Sequence, residues 1–357
     1  MPLRRVAIAG LLLAACAGEP GWEERVGIDG RYFVDGEHLV MGYPGTGLRF
    51  RAEGTVDFVV VAEGDLAAIE IQEDDGPWVT KRLIPGENTL SINTDDTPSD
   101  VRVVTISEDW QGRLRYTRLK GEASPLPVPK SRMRVLFIGD SITAGSGTDI
   151  HTLETGELDK AGDNARLAFP QGVAERLGAE VHQVAYGGRG IIRDWEDKTF
   201  EDDGQLNAPQ FFARAVPSYE VEWDHCDWVP DAVVIGLGTN DFNPGIPDKA
   251  AFVDAMVEFI ANVQDVSAPS APVILLVSPM FGEGTDKRRL HVDYLQSVAE
   301  RIGPEVSVLN VGYHPGHPST FGHPVASEHE VMADMIARET SAKLANAVRE
   351  MPAACKN

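Results

Sequence analysis

The sequence predicts two domains of different class: an all-β, jelly-roll sandwich over residues 26–122, then an α/β domain with a parallel sheet of about five strands over 134–350. Three observations carry this. Short apolar or alternating runs, broken by turn residues, fill the first third of the chain. A proline-rich stretch follows. Beyond it, continuous apolar runs alternate with segments of helical period.

Taken in order, residues 1–20 read as an export signal. Arg4 and Arg5 precede the apolar run Val6 to Ala15, too short to span a bilayer as a mature helix. Leu13-Ala14-Ala15-Cys16 resembles the bacterial lipoprotein signal, in which the Cys becomes the lipidated first residue. The expectation is a chain exported and lipid-anchored at Cys16 in the bacterial cell envelope; a plain secretory signal is the alternative. The sandwich strands include Gly47-Leu48-Arg49-Phe50-Arg51, Phe58-Val59-Val60-Val61, Ala68-Ile69-Glu70-Ile71, Thr89-Leu90-Ser91-Ile92 and Val101-Arg102-Val103-Val104-Thr105-Ile106. Tyr43-Pro44-Gly45, Asp74-Asp75-Gly76-Pro77 and Pro85-Gly86-Glu87-Asn88 punctuate them. Pro125, Pro127 and Pro129 make 123–133 a stiff, extended linker. The buried strands are Val135-Leu136-Phe137-Ile138, about Glu180 to Ala185, Ala232-Val233-Val234-Ile235 and Val273-Ile274-Leu275-Leu276-Val277. Helical periods lie near 165–177, 248–265, 286–301 and 327–349.

Charge is one-sided: 32 Lys plus Arg against 55 Asp plus Glu, a net charge of -23. Such a surface repels nucleic acid, anionic membranes and anionic polysaccharides, and leaves neutral substrates open. Cys226 and Cys355 can pair in an oxidising compartment or remain as two buried thiols; the sequence leaves both readings open. There is no CxxC and no His/Cys cluster, so neither a metal nor an organic cofactor is expected.

In a parallel sheet the site lies at the carboxyl ends of the strands. Gly139-Asp140-Ser141-Ile142-Thr143-Ala144-Gly145 leaves the first strand and presents a hydroxyl there. Val184-Ala185-Tyr186-Gly187-Gly188-Arg189-Gly190 follows the second, and its glycines let backbone N–H groups approach a ligand oxygen. Gly236-Leu237-Gly238-Thr239-Asn240-Asp241 follows the third, and an Asn there can aim a side-chain N–H at a developing oxyanion. A serine nucleophile needs an imidazole base. His314, His317, His323 and His329 crowd the approach to the last helix, and one of them suffices.

These blocks, in this chain order over 134 to about 345, resemble the SGNH (GDSL-like) hydrolase superfamily, whose four name-giving residues would be Ser141, Gly188, Asn240 and His323. A narrower resemblance covers nearly the whole mature chain. Gly30-Arg31-Tyr32-Phe33, Tyr43 to Leu48, Phe50 to Thr55, Gly188 to Arg193 and Leu237 to Phe242 are similar to carbohydrate esterase family two, which includes acetyl xylan esterases. The resemblance implies a flavodoxin-like hydrolase domain carrying a jelly roll, and removal of acetyl groups from neutral polysaccharides or sugars through an acyl-enzyme on Ser141. His323 would be the base, with the Ser141 and Gly188 N–H groups and Asn240 as oxyanion hole. Most members carry an Asp two or three residues before the His; here those positions are Phe321 and Thr320. Some members instead orient the imidazole with a backbone carbonyl. His317-Pro318-Ser319 makes His317 the alternative base.

Asp140, Trp195 and Trp228 are the substrate-contact candidates, with Trp223 also near the motif blocks. The polar segment Ser146 to Asn164 is expected to border the pocket. Two other readings remain: a lipase or thioesterase of the same superfamily, and an inert polysaccharide-binding surface protein.

Overall fold

The structure, a computed structural model, describes residues 21–94, 97–126, 133–150, 162–345 and 349–356. Cys16 and the expected signal segment lie outside the described residues, as do 127–132 of the expected linker and 151–161 of the expected loop. No helix among the described residues is long and apolar enough to cross a membrane.

The first domain is an antiparallel network of nine strands among the described residues: β1 (Gly27–Asp29), β2 (Phe33–Asp35), β3 (His38–Met41), β4 (Gly47–Glu63), β5 (Ala68–Glu73), β6 (Val79–Arg82), β7 (Gly86–Asn93), β8 (Ser99–Thr105) and β9 (Arg113–Pro125). The long β4 organises it. Its first half pairs with β8 and its second with β7, while β9 follows along the other edge through bulges near Glu53–Asp57 and Val59–Val60. Bulges bend and twist a strand, so the network rolls over one apolar core in which Phe50, Phe58, Val60 and Tyr116 are buried. β9 runs to Pro125 opposite Phe50, three residues into the segment expected to be linker. The proline ends the strand, a position where its missing N–H is tolerated.

The second domain is a parallel sheet of β10 (Arg134–Gly139), β11 (Glu180–Ala185), β12 (Ala232–Gly236), β13 (Val273–Val277) and β14 (Val306–Asn310). The spatial order is β11-β10-β12-β13-β14, the flavodoxin-like 2-1-3-4-5 arrangement. Alternation along each strand builds both layers. Val135, Phe137, Val234 and Ile274 pack against Phe169, Val173, Met332 and Ile336 of the helices Phe169–Leu177 and Ala326–Leu344. Leu136, Ile138, Val233 and Leu275 pack against Phe252, Met256, Leu295 and Val298 of the helices Lys249–Val266 and Asp286–Ile302. Strand β14 was not among the expected strands. At the sheet edge only Val306 of its residues Val306-Ser307-Val308-Leu309-Asn310 is buried, and Ser307 and Asn310 interrupt the apolar run that marks the central strands.

The two domains are clasped at Arg31, which is fully buried. Its guanidinium lies 5.0 Å from the Phe212 ring centre and 5.5 Å from that of Trp223, and donates to the carbonyls of Phe212 and Arg214. Cys226 and Cys355 form a disulfide, Cα to Cα 5.4 Å, which resolves the choice between paired and unpaired thiols.

Candidate active site

Strand order reverses around β10, whose neighbours are β11 on one side and β12 on the other, so their carboxyl ends open a crevice. Ser141 sits there as the first residue of the turn Ser141–Ala144. Asp140 caps that turn, its Oδ1 accepting from Ile142 N at 3.0 Å.

Ser141 Oγ lies 2.7 Å from His323 Nε2. His323 Nδ1 lies 2.8 Å from the carbonyl oxygen of Thr320. A carbonyl only accepts, so Nδ1 carries the proton and Nε2 is left to accept from the serine hydroxyl. Burial lowers the His323 pKa, and the bond to Thr320 opposes this only in part. The base is therefore neutral at neutral pH. A tight turn aims the carbonyl: Thr320 Oγ1 lies 2.7 and 2.8 Å from the His317 and His323 carbonyls, and its one proton serves either. Phe321 takes a left-handed conformation (φ +54°) to end the turn, its ring 88% exposed.

The Gly block and the Asn block interlock. Asn240 Nδ2 donates to Arg189 O at 2.9 Å and lies 3.3 Å from Asp140 Oδ2, joining three strand ends through one amide. Asp241, fully buried, accepts from the N–H groups of Ile191, Ile192 and Arg193 at 3.0, 2.9 and 3.3 Å. Burial raises its pKa to about 6, against the pull of those donors. Gly188 has φ +75°, and a Cβ there would lie 2.8 Å from the Trp195 ring. Its carbonyl accepts from Trp195 N at 3.0 Å. The N–H groups of Ser141 and Gly188 have no acceptor among the described residues.

The other candidates fall elsewhere. His317 is a local cap, its Nδ1 accepting from Ser319 N at 3.2 Å, and it is His323 that meets the serine. His314 bonds the Val311 carbonyl and His329 accepts from Phe169 N, so both serve the fold. Asp140 is fully buried beneath Ser141, where burial raises its pKa to about 7; it positions the turn and Asn240 and presents no exposed surface. Trp228 is buried, its ring 3.7 Å from that of His182, and Trp223, also buried, packs against the same imidazole at 5.7 Å. Trp195 alone of the three is open, 54% exposed beside Gly188. Of the expected loop, Gly147 borders the site: a Cβ on it would lie 2.8 Å from Thr320 and 3.0 Å from His323. Thr320 and Asp241 are functional positions that the sequence reading missed. Thr320 acts through a carbonyl that every residue has, whereas Asp241 stood inside a quoted motif. No group of three His, Cys, Asp or Glu among the described residues could hold a metal ion.

A hydroxyl bonded to an unprotonated imidazole nitrogen, with N–H donors gathered at the same strand edge, is the apparatus of acyl transfer through serine, and it defines a serine acyl hydrolase. Residues 137–345 match the GDSL-like Lipase/Acylhydrolase family, more than half of the chain, and the protein belongs to that family. It is 30% identical over 306 residues, 84% of this chain and 83% of the relative, to an acetylxylan esterase / glucomannan deacetylase of Cellvibrio japonicus. A solved family two carbohydrate esterase from Cellvibrio japonicus superposes with TM-score 0.82 at 27% identity, over 90% of this chain and 96% of that one. A family two carbohydrate esterase from Clostridium thermocellum, in complex with cellohexaose, shares the fold with TM-score 0.77 at 23% identity, over 89% and 99% of the two chains.

Proposed function

We propose that this protein is a carbohydrate O-acetylesterase that transfers acetyl groups from neutral sugar or polysaccharide esters to water through Ser141. The relay Ser141 Oγ to His323 Nε2, with Nδ1 on the Thr320 carbonyl, is the observation that carries the reading. His323 Nε2 takes the serine proton as Oγ attacks the acetyl carbonyl. The oxyanion is met by the N–H groups of Ser141 and Gly188 and by Asn240 Nδ2, which gives up its longer bond to Asp140. The imidazolium then protonates the departing sugar oxygen, and a water, deprotonated by the same nitrogen, releases acetate.

One further feature favours a sugar ester. Trp195 offers an open indole face beside Gly188 on which a sugar ring can stack. The acidic surface suits neutral polysaccharide, and the Cys226–Cys355 disulfide suits an oxidising compartment. With Cys16, these support a chain exported and held at the cell envelope by a lipid; palmitate labelling that persists in Cys16→Ala would remove the anchor from the reading.

Acetate release from acetylated xylan, glucomannan and simple sugar acetates tests the function. Wild type should release acetate and Ser141→Ala none; equal release by both ends the proposal. Faster turnover of octanoyl than acetyl esters would favour the lipase reading.

A further inference from the structure

The β-sandwich reaches the active site through residues 107–112, the turn between β8 and β9. Glu108 and Gln111 are both buried there, and the turn is closed by Gln111 N and Gly112 N donating to Glu108 O at 3.0 and 3.2 Å. The Glu108 carboxyl accepts from Gly187 N at 2.5 Å, across the domain boundary and 79 residues along the chain. The fit is close: a Cβ on Gly187 would lie 2.7 Å from Glu108 Oε1. Gly187 immediately precedes Gly188, whose carbonyl is fixed from the far side by Trp195 N at 3.0 Å. The Gly188 N–H thus lies between two anchors, one from each domain. The same turn also grips the opposite wall. Gln111 Nε2 donates to Asp163 Oδ2 at 2.8 Å, and Asp163 Oδ1 accepts from Gly147 N at 3.2 Å, where Gly147 abuts Thr320 and His323.

We infer that Glu108 is a positioning residue for ester hydrolysis, supplied by the β-sandwich to hold the Gly187–Gly188 peptides so that the Gly188 N–H meets the oxyanion. The inference rests on the acyl-transfer reading of Ser141. It gives the first domain a part in the chemistry itself, beyond shaping the cleft. The bond needs an acceptor oxygen and not a charge. Burial, and then Asp163, push the Glu108 pKa up, which favours the protonated carboxyl, and that form still accepts through one oxygen. An amide can do the same.

The test uses the full chain and p-nitrophenyl acetate. Glu108→Leu removes the acceptor, and Glu108→Asp withdraws it by one methylene in a side chain more easily kept folded. Shifts on the order of 1 Å in a reacting geometry cost up to roughly 100-fold. Both variants should therefore lose roughly 10- to 100-fold in kcat per folded molecule, with KM within about twofold, while Glu108→Gln stays within about threefold of wild type. Near-UV circular dichroism supplies the folded fraction. Unchanged kcat per folded molecule in Glu108→Asp overturns the inference, as does a loss in Glu108→Gln equal to that in Glu108→Asp. An inactive wild type, or a fully active Ser141→Ala, would instead sink the acyl-transfer reading.

Discussion

Gly188→Ala probes the oxyanion loop with one methyl group. At φ +75° a Cβ costs about 1–2 kcal/mol of backbone strain. It would also lie 2.8 Å from Trp195 Cδ1, where carbon atoms normally sit about 3.5–4.0 Å apart. The indole must retreat by roughly 0.7 Å, or the Gly188 peptide must. Because Trp195 N also holds the Gly188 carbonyl, either movement displaces the N–H proposed to meet the oxyanion. Losing one such donor costs about 100- to 1000-fold in rate, so kcat for p-nitrophenyl acetate should fall about 100-fold with KM little changed. The double variant Gly188→Ala/Trp195→Ala separates the two causes. It removes the clash and leaves the strain, so its kcat should return to within about tenfold of Trp195→Ala, while the strain, common to the resting and reacting states, appears as about 1–2 kcal/mol of lost stability. Gly188→Ala within threefold of wild type would refute the reasoning, and a double variant no better than the single would refute the part assigned to the indole.

Comparing His323→Ala with His317→Ala separates the base from the cap: the first should lose at least about 1000-fold in kcat, the second less than about tenfold, and a reversal would move the base to His317. The acid limb of the kcat/KM profile should have its midpoint below the ordinary histidine value of 6.5, because burial lowers the His323 pKa and the neutral form is the active one; a midpoint above 6.5 contradicts the burial argument. Replacing both Cys226 and Cys355 by Ala should cost about 2–4 kcal/mol in thermal or denaturant unfolding while leaving kcat unchanged, since neither touches a site residue; an unchanged stability would show that the cross-link constrains little.

What the sequence carried, and what it did not, follows the range of the interactions. Ser141, Gly188 and Asn240 were legible because each lies directly after an apolar strand, and strand ends of a parallel sheet converge whatever lies between them. The preference for His323 over His317 rested on the family resemblance alone. The choice itself depends on the turn at Thr320 and Phe321, where a bulky residue takes a left-handed conformation that no propensity would assign to it. The Trp residues 195, 223 and 228 look alike along the chain, and only packing separates two buried rings from one exposed ring. Glu108 had no local signal at all: its partner lies in the other domain, and a lone Glu in a surface-type turn reads as solvated.

The carbonyl behind His323 changes more than the identity of a partner. A carboxylate at Nδ1 fixes the tautomer and also stabilises the imidazolium that forms as the serine proton leaves. Replacing a triad Asp by its amide costs other serine hydrolases about 10,000-fold largely because an amide permits the wrong tautomer. The Thr320 carbonyl has no proton to donate, so it imposes the correct tautomer as firmly as a carboxylate would. What it omits is the negative charge. Without that charge, burial dominates and the imidazole pKa falls, which keeps the base unprotonated into mildly acidic solution. The imidazolium in the transition state is correspondingly less stabilised, so the N–H donors opposite must carry more of the developing charge separation. That requirement falls on the Gly187–Gly188 peptides and on Asn240: Asp140 and the Trp195 N–H hold them from within the hydrolase domain, and Glu108 from the domain packed against it.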